Sequence, residues 1–248
     1  MRLRGKMTDQ QLISQYSGQK YPFMLYNPQN DTEDNLYSVL IALDGRDYLQ
    51  IGRLASLADA WIAAGLIKPL MIIAIPYANP ASRWSLYHPQ GDDSRAFYHF
   101  LTKELPDWLC RRFPIDPEAS AWTLIGDSLA ATCSLLAGLR NADRFGNLLL
   151  QSPYIDQPIM DTIRLTEGAS IQPTRIVHLI GRNEQAVRTT RGPIHNFVAT
   201  NRQLYEALHT RTSINYTYIE TNGDHSWRTW QSQVPRLLFS SYAAQSRR

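Results

Sequence analysis

Ser128 lies between a predicted buried strand and a predicted helix. The apolar run 121–125 predicts the strand, and the pattern of 128–139 predicts the helix. A sharp turn between two such elements lifts a serine Oγ clear of the sheet, and the small residues Gly126 and Ala130 leave room for that turn. The N–H of Leu129 can then help to bind an oxyanion. Ser128 is therefore a candidate nucleophile; the alternative is a serine that only caps the helix.

A base and an acid follow the serine, each just after a predicted strand. Glu184 comes after strand 175–180, and His225 comes after strand 214–219. Serine hydrolases of the α/β type carry these groups in the chain order nucleophile, acid, base. The sequence therefore predicts that His225 activates Ser128 and that Glu184 orients His225.

Three aspartates are rival candidates for the acid: Asp127, Asp156 and Asp224. Asp127 lies inside the turn itself, and Asp224 directly precedes the histidine, from which we expect it to point away. These positions favour Glu184. The other histidines show no metal-ligand spacing, so we expect surface or internally satisfied polar roles for His88, His99, His178, His195 and His209. Neither a metal nor a cofactor is predicted.

The elements that must position these residues alternate between strand and helix along the whole chain. Apolar runs at 36–43, 70–75, 121–125, 147–151 and 175–180 are typical of strands buried on both faces. This alternation predicts an α/β fold with a mainly parallel, doubly wound sheet, in which ligands bind at the carboxyl ends of the strands.

Two further segments, one near the N-terminus and one in the middle of the chain, have their own predicted structure. The β-like segments 11–17 and 21–27 flank a turn with Gly18 and predict an N-terminal β-hairpin. The stretch at about 153–173 has the composition of a loop-like insertion. Because nothing resembles a linker, we expect one domain over residues 1–248.

Composition argues against several function classes. The 248 residues carry 25 Lys and Arg against 22 Asp and Glu, a net charge of +3, which is too small to predict binding to nucleic acid or to an anionic membrane. No apolar run approaches the roughly 18 residues of a membrane helix. The N-terminal residues lack the apolar stretch of a secretory signal, so we expect a cytoplasmic protein. Cys110 and Cys133 are predicted to be buried free thiols.

Taken together, these segments resemble the Putative esterase family of α/β-hydrolases, which includes esterase D and the enterochelin esterases. The resemblance rests on LIALDG at 40–45, GDSL at 126–129, RFG at 144–146, QSP at 151–153, GRNE at 181–184 and GDHSW at 223–227. It implies an α/β-hydrolase fold with Ser128 as nucleophile, His225 as base and Glu184 as acid. It also implies that the backbone N–H groups of Arg46 and Leu129 bind the oxyanion. Some siderophore esterases that resemble this chain use a Ser–His pair without an acid.

The predicted reaction is hydrolysis of a small-molecule carboxylic ester through an acyl-enzyme. Several arginines lie in or near the predicted site loops, and arginine suits carboxylate or catecholate oxygens. We expect Arg182 and Arg188 to bind an anionic ester, such as a siderophore; the alternative is that these arginines lie on solvated loops. The alternatives are a thioesterase of the S-formylglutathione hydrolase kind, an acyltransferase on the same fold, and a protein that has kept the fold only for binding.

Overall fold

The computed structural model describes residues 3–28, 36–191, 193–211 and 213–244. Within these residues the strands are β1 Lys6–Ile13, β2 Lys20–Asn27, β3 Ser38–Leu43, β4 Leu70–Ile75, β5 Trp122–Asp127, β6 Asn147–Gln151, β7 Arg175–Gly181, β8 Val187–Arg188, β9 Ile194–His195 and β10 Asn215–Thr221. Eight of them form one sheet in the order β1-β2-β4-β3-β5-β6-β7-β10. The strand β2 pairs antiparallel with β1 and β4, and the other neighbours pair in parallel. The predicted α/β-hydrolase fold with its N-terminal hairpin is confirmed.

The helices cover both faces of this sheet. In the described residues they are α1 Gly45–Gln50, α2 Leu54–Ala63, α3 Pro80–Tyr87, α4 Ser94–His99, α5 Leu105–Cys110, α6 Leu129–Arg140, α7 Gln157–Arg164, α8 Phe197–His209 and α9 Trp227–Tyr242. Successive side chains of a strand point to opposite faces. In β3, Leu40 and Ala42 pack with α2 and α9, whereas Val39, Ile41 and Leu43 pack with the helices from α4 to α8.

The structure corrects the prediction of a loop-like insertion at 153–173. This stretch contains α7, whose first turn is capped by the side chain of Asp156, which accepts a hydrogen bond from the N–H of Ile159 at 3.1 Å. Burial of Ile159, Met160 and Ile163 against the core stabilises the helix. Apart from Pro158 its remaining residues are polar, and composition alone therefore suggested a loop.

Two further local features concern the helices around Pro106 and the cysteines. A π-helical segment, Phe100–Glu104, separates α4 from α5, because Pro106 has no N–H with which to continue a regular helix. Cys110 at the end of α5 is exposed, so the prediction that it is buried is wrong, while Cys133 is buried and both thiols are free.

The described helices include none that combines the length and the apolar character needed to cross a membrane.

Candidate active site

Ser128 lies between β5 and α6 in a strained turn. Its backbone angles are φ 52° and ψ −123°, a conformation that costs about 1–3 kcal/mol in a residue other than glycine. The N–H of Ser128 donates to the carbonyl of Gln151 at 2.9 Å, which ties the turn to the end of β6. A Cβ at Gly126 would lie 2.4 Å from the backbone of Ala130, so only glycine lets α6 start this close to the strand. The Ser128 side chain makes no capping hydrogen bond to α6, which rules out the helix-cap alternative.

The ring of His225 joins this serine to Glu184. His225 Nε2 lies 3.0 Å from Ser128 Oγ, and His225 Nδ1 lies 2.6 Å from Glu184 Oε2. These partners assign the ring proton to Nδ1, so that Nε2 accepts from the serine hydroxyl. The ring packs against Phe197, with centroids 4.0 Å apart, and against the edge of Trp230 at 4.9 Å. This arrangement can remove a proton from a serine and stabilise the resulting imidazolium.

Glu184 is fully buried, and both of its carboxylate oxygens have partners. Oε1 accepts hydrogen bonds from the N–H of Gly181 and from Ser152 Oγ, each at 2.7 Å, while Oε2 faces His225. Ser152 follows β6 with φ 49° and in turn accepts a hydrogen bond from Trp230 Nε1 at 3.1 Å. Ser152 was not predicted as a site residue. Its position directly after a strand next to β5 was the available signal.

The structure gives each rival acid a different partner. Asp156 pairs with His88, Asp224 binds Ser226, Arg228 and Thr229, and Asp127 contacts Arg83. His178, a histidine expected to be satisfied internally, is buried between Tyr216 Oη at 2.7 Å and Asn201 Oδ1 at 2.6 Å. Burial lowers the pKa of His178 to about 4. Within the described residues no group of three His, Cys, Asp or Glu side chains could hold a metal ion.

The two residues expected to bind an oxyanion begin helices at adjacent strands. Arg46 is the second residue of α1, after β3, and Leu129 is the first residue of α6, after β5. β3 and β5 are neighbours in the sheet. The first four N–H groups of a helix have no intrahelical acceptor, so both N–H groups are available to a ligand as far as their own helices are concerned.

A buried charge cluster lies beside these two helix starts. Asp44 and Asp127 are each 1% exposed, and Arg83 from α3 contacts the carboxylates of both. Burial raises the pKa of Asp44 to about 6, and Arg83 opposes this rise. Burial, and then the charge of Asp44, raise the pKa of Asp127 as well, again against the effect of Arg83.

A cavity of about 150 Å³ opens onto Ser128 and His225. Aromatic side chains and three arginines line it: Trp84, Tyr154, Phe197, Trp230, Arg83, Arg188 and Arg191. The guanidinium of Arg191 lies 5.6 Å from the centre of the Trp84 ring. Arg182 is exposed, donates to Asn222 Oδ1 at 3.4 Å and does not line the cavity. Of the two arginines expected to bind substrate, the structure therefore brings only Arg188 to the serine.

The sheet is mainly parallel, and the loops after its strands bring together a serine, a histidine and a carboxylate. This combination defines the α/β-hydrolase class. The chain belongs to the Putative esterase family, whose model matches residues 14–239. This membership supports ester hydrolysis as its activity. The uncharacterized protein YjcH of Bacillus subtilis is 33% identical over 234 residues, which are 94% of this chain and 96% of that protein.

Solved structures of esterases share the fold at low sequence identity. The enterobactin esterase of Shigella flexneri superposes with a TM-score of 0.78 at 18% identity, over 95% of this chain and 58% of that one. The chain thus spans little more than half of that protein's length. An S-formylglutathione hydrolase of Staphylococcus aureus superposes with a TM-score of 0.72 at 14% identity, over 96% and 97% of the two chains. At these identities the similarity concerns the fold.

Proposed function

We propose that this protein is a serine carboxylic-ester hydrolase that works through an acyl-enzyme. The observation that carries the proposal is the continuous contact from Ser128 Oγ to His225 Nε2 at 3.0 Å and from His225 Nδ1 to Glu184 Oε2 at 2.6 Å. The strained turn at Ser128 supports it, because strain of this kind concentrates where a side chain must be presented to a ligand.

In the first half of the reaction, Ser128 Oγ attacks the ester carbonyl carbon while His225 Nε2 takes the hydroxyl proton. Glu184 stabilises the imidazolium that forms. The N–H groups of Arg46 and Leu129 bind the oxyanion, and collapse of the tetrahedral intermediate expels the alcohol, which takes the proton back from His225. Water then replaces the alcohol and the same steps release the acid and restore the Ser128 hydroxyl.

A fluorophosphonate probe tests this mechanism directly. We expect the probe to label the wild-type protein at Ser128, located by peptide mass spectrometry, and p-nitrophenyl acetate and butyrate to be hydrolysed. Ser128→Ala removes the nucleophile and is expected to lower kcat/KM by about 10⁴-fold or more. No label on the wild type, or hydrolysis that is indifferent to the substitution, would reject the serine mechanism and favour a binding protein.

We further propose that the substrate is an anionic ester, such as a siderophore. Arg188 and Arg191 extend along the cavity wall from the β8–β9 region, and the described residues that line the cavity include no carboxylate side chain. The guanidinium of arginine matches carboxylate and catecholate oxygens. The aromatic side chains of Trp84 and Tyr154 give the rest of the wall an apolar surface suited to a ring.

Arg182 supplies a matched control for this substrate class. It comes from the same stretch of chain as Arg188 but lies outside the cavity. We expect Arg188→Ala to raise KM for an anionic aryl ester by about tenfold, the loss of one exposed charge-assisted contact, and to leave KM for its neutral methyl analogue unchanged. Arg182→Ala should change neither. Equal effects of the two variants on the anionic-to-neutral ratio would reject the anionic site.

A further inference from the structure

Arg83 connects two loops that follow different strands. Its Nη2 forms a close ion pair with Asp44 Oδ2, lies 3.3 Å from the carbonyl oxygen of Asp127 and 3.5 Å from Asp127 Oδ2. The Arg83 side chain is 20% exposed and reaches the Ser128 cavity, while both carboxylates are buried. One guanidinium therefore contacts the end of β3 and the end of β5 at the same time.

Both connected loops have a strained backbone. Asp44 has φ 57°, and Ser128, which follows Asp127, has φ 52°. A conformation of this kind persists only where the surroundings hold it in place. Asp44 stands two residues before Arg46, and Asp127 stands two residues before Leu129. Arg83 thus contacts each loop within two residues of the N–H group that the proposed mechanism assigns to the oxyanion.

The charge cluster is poorly suited to stabilising the fold. Asp44 Oδ1, Asp127 Oδ1 and Arg83 Nε are buried without a hydrogen-bond partner in the described part of the chain. Burial of ions costs several kcal/mol each, and the attraction between them compensates only when the remaining polar atoms are also paired. Stabilisation of the fold therefore does not account for the cluster. Its position between the two loops indicates a different role.

We propose that Arg83 is a positioning residue that holds the Asp44 loop and the Asp127–Ser128 turn at the separation needed for the N–H groups of Arg46 and Leu129 to bind one oxyanion together. The inference rests on the proposed serine mechanism and adds to it a residue that acts through the backbone. In this role Arg83 acts through its contacts with Asp44 and Asp127, while the side chain also borders the cavity and the guanidinium lies 5.4 Å from the centre of the Tyr77 ring.

The ratio of effects on kcat and KM separates this role from anion binding. Loss of one oxyanion donor lowers kcat by about 10²–10³-fold, and a displaced donor should cost somewhat less. We expect Arg83→Met to lower kcat about 30-fold to 100-fold, equally for an anionic ester and its neutral analogue, with KM unchanged. The rate of fluorophosphonate labelling at Ser128 should fall in parallel. Arg83→Lys, which keeps the charge, should recover part of kcat.

Arg95 provides a control for the removal of an arginine close in sequence. It is exposed on α4, with its guanidinium 5.9 Å from the ring of Tyr16, and Arg95→Met should leave kcat and the labelling rate unchanged. A rise in KM confined to the anionic ester in Arg83→Met would assign Arg83 to substrate binding and overturn the positioning role.

A variant with no charges in the cluster separates a loss of positioning from a loss of stability. Arg83→Met alone leaves two buried carboxylates without a cation, which is strongly destabilising. The triple variant Arg83→Met/Asp44→Asn/Asp127→Asn removes all three charges, so its Tm should exceed that of Arg83→Met. We expect kcat of the triple variant to remain as low as in the single variant. Recovery of kcat together with Tm would show a structural role only and overturn the inference.

The two proposals fail in different ways. If the serine mechanism is wrong, the wild-type protein with Arg83 intact will not be labelled at Ser128. If only the positioning role is wrong, the wild type will be labelled and the Arg83→Met variant will be labelled at the same rate.

Discussion

Two hydrogen-bonded histidine–carboxylate pairs in the described residues have different surroundings. His225 Nδ1 lies 2.6 Å from Glu184 Oε2, and His88 Nε2 lies 2.9 Å from Asp156 Oδ2. The other ring nitrogen decides what each pair can do. His225 Nε2 faces Ser128 Oγ, whereas His88 Nδ1 accepts a hydrogen bond from the N–H of Gln90 at 3.2 Å.

Exposure reinforces this difference. The His225 side chain is 13% exposed and borders the cavity, while His88 is fully buried and stacked on Trp84 with ring centroids 3.8 Å apart. His88 therefore fixes one wall of the cavity but has no free nitrogen with which to move a proton. A histidine beside a carboxylate can serve as a general base only where its second nitrogen can reach, directly or through one water, the proton to be removed.

Among substitutions that disrupt one of the two pairs, we expect the largest loss of activity at Glu184. Glu184→Gln places an amide beside His225 Nδ1, where its NH₂ group would donate and favour the tautomer with the proton on Nε2. We expect kcat to fall by about 10³–10⁴-fold, as for loss of the orienting acid in other serine hydrolases. Steady-state kinetics with p-nitrophenyl butyrate measures it. A fall of less than tenfold would mean that Ser128 and His225 suffice as a pair.

Ser152 gives a smaller and more selective test of the same pair. Ser152→Ala removes one of the two hydrogen bonds to Glu184 Oε1 and leaves the one from Gly181. We expect about a tenfold fall in kcat with KM unchanged, since a hydrogen bond to a charged group is worth about 1.5–3 kcal/mol and part of this is lost to relaxation.

Ser134 is the matched control for that substitution. Its hydroxyl is buried in α6 and has no hydrogen-bond partner in the described residues. Ser134→Ala should therefore leave kcat unchanged. If both serine variants lose activity to the same extent, the contact between Ser152 and Glu184 has no specific role.

The equivalent change at the second pair should affect stability and hardly affect turnover. Asp156→Asn weakens a charge-assisted hydrogen bond and the cap of α7. We expect the free energy of unfolding to fall by about 1–2 kcal/mol, or a few degrees in Tm, with kcat within about threefold of the wild type. Thermal unfolding followed by circular dichroism, alongside the kinetic assay, measures both. A loss of kcat as large as that of Glu184→Gln would give the two pairs equivalent roles.

A third histidine, His178, extends the comparison to the dependence of stability on pH. His178 has both nitrogens occupied, and its pKa of about 4 lies below the ordinary value of 6.5. The unfolded chain therefore binds a proton that the folded protein excludes, so the stability that neutral His178 contributes is complete above pH 6.5. It is lost as the pH falls from 6.5 to 4, by about 3 kcal/mol at most. Because this loss occurs below pH 6.5, we expect no effect of His178 protonation on activity at pH 7.

Urea unfolding at several pH values tests this loss. The wild type should lose more stability between pH 6.5 and 4 than His178→Gln does, while His209→Gln, a change at an exposed position, should follow the wild type. Parallel curves for the wild type and His178→Gln would contradict the role of the buried ring.

Local patterns predicted the elements that carry the site. The apolar runs located β3 to β7, and the order of Ser128, Glu184 and His225 placed each after a strand. α1 and α3 were not predicted, because six and eight residues are too few to show a helical period. The start of α3 did carry a local signal, Pro80 preceded by Asn79 in a capping box with Ser82. The bridge from Arg83 on α3 to Asp44 and Asp127 joins residues far apart in the chain, which no local pattern predicts.

The sequence by itself determined the α/β alternation, the turn around Ser128 and the order of the three candidate groups, since apolar spacing and glycine placement are local properties. Only the tertiary structure decided that Glu184 rather than Asp127, Asp156 or Asp224 meets His225. It also decided that Arg188 lines the cavity while Arg182 does not. The physical reason is that such contacts join residues tens of positions apart. Their distances depend on how strands are ordered in the sheet, which no local pattern specifies.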